Sequence, residues 1–259
     1  MQVNEAKLIQ ANWPIVSGVH AFCTTRIGGV SQSPWDSFNL ATHVNDNPDH
    51  VLQNRQQLQA QCHLPAEPTW LEQVHGNELV RLTSDNTKQS FKADAVFTTE
   101  KNIVCSVMTA DCLPVLFSNK QASWVAAAHA GWKGIANGIL KRVVESYISE
   151  LNGSLSDLQV WIGPAIGGKV YQVGDDVRQA YLQQDSVLNQ AFVKDQTAVG
   201  YYLLNNAQAA RLQLTAFGLL DNQISIADYC TFTDSDLFFS YRRDGINTGR
   251  MASIIWLNN

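Results

Sequence analysis

Four apolar, β-branched runs follow one another at residues 95–98, 103–109, 113–118 and 124–130, with only a few residues between them. Runs of that length bounded by turn residues read as buried strands, and gaps this short cannot hold helices. Directly afterwards, residues 132–152 carry Ile135, Ile139, Val143 and Tyr147 at every fourth position. Leu140, Val144 and Ile148 widen that stripe into the face of an amphipathic helix. Outside this block, residues 19–25, 69–74, 158–162, 224–227, 237–241 and 253–257 read as further strands. Asn47-Pro48 supplies an N-cap and a proline at the first helical position, opening a helix that runs to about Cys62. Residues 175–184 and 205–217 also read as helices. Strands in clusters, with helices between the clusters, favour an α+β fold of layered, mixed β-sheets flanked by helices over a regular βαβ alternation. No Pro/Gly/Ser-rich linker divides the chain, so residues 1–259 are read as one catalytic domain.

Composition narrows the function classes. Charged residues make up 16% of the chain, against about 25% in an average soluble protein, and the net charge of −5 is not gathered in blocks. That spread argues against a nucleic-acid-binding protein, whose footprint is a concentrated basic surface. No apolar run approaches the ~18 residues needed to span a bilayer, and Met1 to Lys7 lacks a secretory pattern. The expectation is a cytoplasmic protein with reduced thiols, its five cysteines too few and too odd in number for a disulfide scaffold.

The polar residues most out of place are His75, Asp111, Cys112 and His129, each at the end of an apolar strand beside a small residue. Strand ends meeting loops are where a rigid scaffold presents reactive groups. Cys23, Cys62 and Cys105, in contrast, read as small hydrophobes. Two imidazoles and one thiolate would leave a tetrahedral zinc ion one open position, as in catalytic zinc sites. The same residues also suit a Cys–His hydrolase with Cys112 as nucleophile and His75 or His129 as base. With Met108 as a weak axial ligand they would suit copper. The spacings match no compact zinc-finger signature. H-E-x-x-H, the zinc deaminase signature and the Walker pattern are absent, and the glycines of residues 163–168 do not form a dinucleotide fingerprint. Gly131-Trp132-Lys133-Gly134 opens the strong helix just after His129, where free backbone N–H groups and Lys133 could hold a phosphate. Arg26 and Arg242 stand at turns after strands, and guanidinium groups suit bidentate binding of phosphate or carboxylate.

Taken together these residues form a set. Thr24-Thr25-Arg26-x-Gly28-Gly29-Val30-Ser31, Ser37-Phe38-Asn39-Leu40-Ala41-Thr42-His43-Val44, Gln73-Val74-His75-Gly76 and Ala93-Asp94-Ala95 occur in order. Thr109-Ala110-Asp111-Cys112-Leu113-Pro114-Val115, His129-Ala130-Gly131-Trp132-Lys133-Gly134, Ile162-Gly163-Pro164-Ala165-Ile166 and Phe239-Ser240-Tyr241-Arg242-Arg243 follow. From about residue 18 to 256 the chain resembles the purine nucleoside phosphorylase family, also described as laccase-like multicopper polyphenol oxidoreductases and as peptidoglycan editing factors. The resemblance implies a fold similar to putative cysteine hydrolases and the catalytic domain of cytotoxic necrotizing factor. It implies zinc held by His75, Cys112 and His129, and action on purine nucleosides with phosphate. The implied reactions are phosphorolysis of adenosine, inosine, guanosine and methylthioadenosine, and deamination of adenosine. Arg26, His43, Lys133 and Arg242 become substrate-contact candidates, with Arg26 and the helix start near Gly131 holding phosphate. Asp111 becomes a candidate for proton transfer or for orienting a ligand histidine. The copper label fits poorly, because six histidines without a His-x-His pair cannot build several copper centres. A cysteine hydrolase acting on a peptidoglycan precursor is the competing enzyme class.

Overall fold

The computed structural model describes residues 5–14 and 16–258. In chain order it begins with β1 (Leu8–Gln10), β2 (Val19–Thr24), α1 (Pro48–Gln61), β3 (Leu79–Arg81) and β4 (Ala95–Thr98). The central block is β5 (Val104–Thr109), β6 (Leu113–Asn119), β7 (Val125–Ala130), α2 (Trp132–Ala136), α3 (Ile139–Leu151) and β8 (Leu158–Ile162). There follow β9 (Gln172–Gly174), α4 (Asp175–Leu182), β10 (Phe192–Lys194), β11 (Tyr201–Leu204), α5 (Asn206–Ala216), β12 (Ile224–Ile226), α6 (Tyr241–Asp244) and β13 (Met251–Leu257).

The closely spaced strands divide between two sheets. A six-stranded sheet runs β12-β8-β6-β7-β4-β3, with parallel pairs only at its two edges. A four-stranded antiparallel sheet runs β1-β2-β13-β5. Strand alternation assigns each face its own core. In β7, Ala126, Ala128 and Ala130 pack with Ile139, Leu140 and Val143 of α3 and with Ala209 and Leu214 of α5. Val125 and Ala127 instead meet Val107 of β5 and Ile255 of β13 across the gap between the sheets. The outer face of the four-stranded sheet, through Phe22, Ile254 and Trp256, is covered by Leu58 of α1 with Phe38 and Leu40. The result is two packed sheets with helices on both outer faces, an α+β arrangement as expected. Among the described residues no helix is long and apolar enough to cross a membrane.

The expected elements that differ do so for local reasons. The stripe at 132–152 is not one helix: the chain breaks at Asn137 and Gly138, with Gly138 at φ +79°. A left-handed residue ends α2 and redirects the chain, so that α2 stays beside the end of β7 while α3 lies on the sheet. Residues 237–241 form no strand. Phe238 and Phe239 are apolar because they are buried plugs, and the Ser240 hydroxyl caps α6 by accepting the amide of Arg243. Residues 69–74 make only isolated bridges, Thr69 with Cys105 and Glu72 with Lys92. A small sheet, β10-β11-β9, had no counterpart among the expected strands.

A Cβ built at Gly138 meets nothing within 4 Å, so only the backbone penalises a side chain there. Gly138→Ala should cost about 1 kcal/mol of stability, measured by urea denaturation, without changing the cavity described below.

Candidate metal centre

The turn from β5 to β6 crosses from one sheet to the other, and its three residues are Ala110, Asp111 and Cys112. His129 is the penultimate residue of β7, paired with Pro114 across the β6–β7 ladder. His75 lies on the segment before β3, at φ +61°. The donor atoms of His75, Cys112 and His129 all lie within 4.8 Å of one another. Cys112 Sγ is 3.9 Å from His75 Nε2, and the two imidazole rings stand edge to face at 4.8 Å between centroids.

Asp94, fully buried at the residue before β4, organises two of the three donors. Its Oδ1 is 2.8 Å from His129 Nδ1, and its backbone carbonyl accepts the His129 amide at 2.7 Å. The same carboxylate accepts the amides of Val74, His75 and Gly76, at 3.2, 2.9 and 2.7 Å. Three successive N–H groups thus wrap one carboxylate, and this holds His75 in its left-handed conformation. Burial would raise the Asp94 carboxyl, yet the bonds from His129 and from the Gly76 and His75 amides hold it below the ordinary carboxylate value. With Nδ1 occupied, His129 turns Nε2 to the cluster, the arrangement that orients metal-binding histidines.

The thiols separate by environment. Burial pushes Cys23 up to about 12 and Cys62 up to about 11, and raises Cys105 as well. Burial acts on Cys112 in the same sense, but the charge and hydrogen bond of His129, followed by those of His75, outweigh it and lower the thiol to about 6. Reciprocally, His129 is raised to about 9 against burial by Cys112 and Asp94. A thiolate ligand is therefore available near neutral pH. Room for an ion is also kept: a Cβ at Gly131 would lie 3.1 Å from His75 Cδ2 and 3.2 Å from Cys112 Sγ. A tetrahedral zinc with nitrogen at ~2.0 Å and sulfur at ~2.3 Å spaces its donors about 3.5 Å apart. The donor set is that of a zinc site, and its separations of up to 4.8 Å would have to close by about 1 Å around such an ion.

A cavity of about 470 Å³ opens over the cluster. Of the expected substrate contacts, His43 and Arg242 line it, and so does Asp111. Lys133 and Arg26 do not. Lys133 is exposed on α2, 5.6 Å from the Trp132 ring centroid. Arg26 donates to the carbonyls of Asp36 and Ser235, pairs with the Asp36 carboxylate at 3.4 Å, and lies over the Phe239 ring. Its guanidinium binds two loops together. The helix start near Gly131 packs against the cluster and belongs to a helix of five residues. The cation that the sequence did not single out is Arg250, which lines the cavity beside His43. Asp111 does not orient a histidine. Its buried carboxylate accepts Thr231 Oγ1 at 2.6 Å, Ser240 Oγ at 3.0 Å and the Arg242 amide at 2.6 Å, so it anchors the Arg242 wall. The histidine-orienting carboxylate is Asp94, which the Ala93-Asp94-Ala95 motif contained without indicating its role.

Residues 20–258 match the family described as multi-copper polyphenol oxidoreductase laccase. The chain belongs to this family. Relatives within reach of the family include the purine nucleoside phosphorylase YfiH of Escherichia coli, 46% identical over 97% of this chain and 99% of that protein. A purine nucleoside phosphorylase of Haemophilus influenzae is 44% identical over 96% and 98% of the two chains. Among solved structures, YlmD from Geobacillus stearothermophilus superposes with a TM-score of 0.91 at 31% identity, covering 99% of both chains. Among the described residues, His75, Cys112 and His129 are the one group of three or more His, Cys, Asp or Glu placed to hold a metal ion.

Asp94→Asn should weaken zinc binding about 10- to 100-fold in a competition titration against a chelating dye. In metal-free protein, iodoacetamide should alkylate Cys112 at a rate near its plateau at pH 7 and half-maximal near pH 6. His129→Ala removes the charge that lowers the thiol, so the inflection should move to higher pH.

Proposed function

We propose that the protein is a zinc-dependent purine nucleoside enzyme, a single catalytic domain whose main reaction is phosphorolysis. The observation that carries this reading is the cavity itself: a two-histidine, one-cysteine cluster at its base, two guanidinium groups and aromatic rings on its wall. Arg242 and Arg250 both line it, together with Trp132, Tyr171 and Tyr241. Aromatic faces suit a purine, and guanidinium groups suit phosphate. Relatives named purine nucleoside phosphorylase at 46% and 44% identity support the substrate class.

A zinc ion held by His75, Cys112 and His129 would supply Lewis acidity at one position left open by the protein. The chain's own groups do the positioning. Arg250 is half-buried and donates to the carbonyls of Thr248 and Gly249, while Arg242 donates to the Gln172 carbonyl and lies 5.3 Å from the Tyr171 ring centroid. Both guanidinium groups are thereby held at the wall with donors to spare for a phosphate. His43 is kept neutral by burial and by the charges of Arg250 and Arg55, so it can accept as well as donate a hydrogen bond to the ribose. In phosphorolysis a phosphate oxygen bonds to the ribose anomeric carbon as the bond to the purine nitrogen breaks, and the base leaves with that electron pair. Adenosine, inosine, guanosine and methylthioadenosine share this bond. Adenosine deamination, in which water replaces the amino group and ammonia leaves, is proposed at the same centre.

One observation favours a second reading. Cys112, His129 and Asp94 stand in the order nucleophile, base and orienting carboxylate, with the thiol lowered to about 6. That is the arrangement of a cysteine hydrolase, for which a peptidoglycan precursor is the proposed substrate and the cytotoxic necrotizing factor fold the proposed relative. Copper-dependent polyphenol oxidation is weaker, because three donors serve one copper ion at most.

Metal-analysed protein incubated with adenosine should yield adenine and ribose 1-phosphate only when phosphate is present, and inosine and ammonia with water alone. Cys112→Ala should reduce both reactions by at least about 100-fold. Either reaction surviving in the purified variant would overturn the shared centre. Metal-free activity abolished by thiol alkylation would establish the hydrolase instead.

A further inference from the structure

The motif Ser37-Phe38-Asn39-Leu40-Ala41-Thr42-His43 sends one residue, His43, to the cavity wall. Beneath it lies a buried polar cluster that neither the metal centre nor the core requires. Asn39 and Asn54 are fully buried and Asp46 nearly so. Asn54, on α1, accepts the Val30 amide at 2.9 Å and donates to Ser31 Oγ at 2.9 Å, to the Ser37 carbonyl at 3.2 Å and to the Asn39 carbonyl at 2.9 Å. Asp46 accepts Ser31 Oγ at 2.7 Å, Asn39 Nδ2 at 2.8 Å and the Asn47 amide at 2.7 Å.

Asn39 joins this cluster to the wall. Its Oδ1 accepts the Ala41 amide and, at 3.0 Å, the amide of Arg250, from the far end of the chain. Its Nδ2 donates to the Ala41 carbonyl as well as to Asp46. The next amide, that of Leu40, reaches the Arg250 carbonyl at 3.4 Å. Residues 39 and 40 therefore clamp the backbone of Arg250 on both sides, and His43 hangs between the two fixed points Ala41 and Asp46. A fully satisfied buried polar network fixes one geometry, because any other leaves desolvated groups unpaired.

We infer that Asn39, held by Asn54 and Asp46, is a positioning residue that sets Arg250 and His43 together against one side of the cavity. The inference rests on the reading of that cavity as a nucleoside and phosphate site, with Arg250 holding the phosphate. It predicts a loss in binding rather than in turnover, since the clamp lies away from the metal cluster.

The test uses the full chain. In Asn39→Ala, KM for inorganic phosphate should rise about tenfold while kcat at saturating phosphate changes less than about threefold, and zinc content should stay that of the parent. Crystals of the variant should show Arg250 and His43 displaced. The double variant Asn39→Asp with Asp46→Asn keeps the acceptor for the Arg250 amide and a 39–46 hydrogen bond of reversed polarity, and loses only the donor to the Ala41 carbonyl. Its phosphate KM should rise by clearly less than the roughly tenfold expected of Asn39→Ala, and it supplies the reading if Asn39→Ala does not fold. An unchanged phosphate KM in Asn39→Ala, a double variant as impaired as an alanine variant that folds, or a variant structure with Arg250 and His43 unmoved would each overturn the inference. If the parent protein makes no ribose 1-phosphate, the nucleoside reading fails. The clamp is then decided by the variant structures alone.

Discussion

The buried carboxylate of Asp94 is the interaction on which the site depends. It sits fully out of water, and such a charge survives only when its lone pairs are used. Here they are taken by three amides of residues 74–76 and by the imidazole of His129. One group thus ties a loop carrying His75 to a strand carrying His129. Removing one partner of a buried, bonded charge typically costs about 3–5 kcal/mol, so the geometry of the two histidines is linked to the stability of the whole region. The energy that orients the ligands is folding energy.

The third donor arrives by a different route. Cys112 is placed by the crossing of the chain from the four-stranded to the six-stranded sheet, and both sheets are held by apolar contact between β5, β13 and β7. The alanines of β7 let layers approach on both faces, and Gly131 leaves the space that a side chain would take from the cluster. Asp111, at φ +84° within the crossing, anchors the loop that carries Arg242. The Cys112 donor and the Arg242 side of the wall are therefore set by the same three-residue turn.

Much of this was legible in the amino-acid order, and the failures have physical causes. The strands at 95–130 are buried on both faces, so continuous apolar runs marked them. His75, Cys112 and His129 showed as polar residues at the ends of such runs. The helix expected at 132–152 has the right stripe, but Asn137-Gly138 within it is a turn signal that the periodicity overrode. Residues 237–241 are apolar for burial alone, a case that period and composition do not separate from a strand. The short strands β9 to β11 alternate too briefly to stand out. Asp94 and Arg250 act on residues 35 and 211 positions away, His129 and Asn39, and no local pattern encodes such partners. Arg26 and Lys133 failed for the same reason: a charge at a turn does not say what it meets.

The central proposal is that two imidazoles held by Asp94, with the Cys112 thiolate, form a single zinc centre with an open position. X-ray absorption at the zinc edge of the loaded, full-length protein measures that directly. The account predicts one sulfur at about 2.3 Å and two imidazole nitrogens at about 2.0–2.1 Å, with a light, non-protein fourth ligand. A spectrum without sulfur, or one requiring four protein donors, would contradict it.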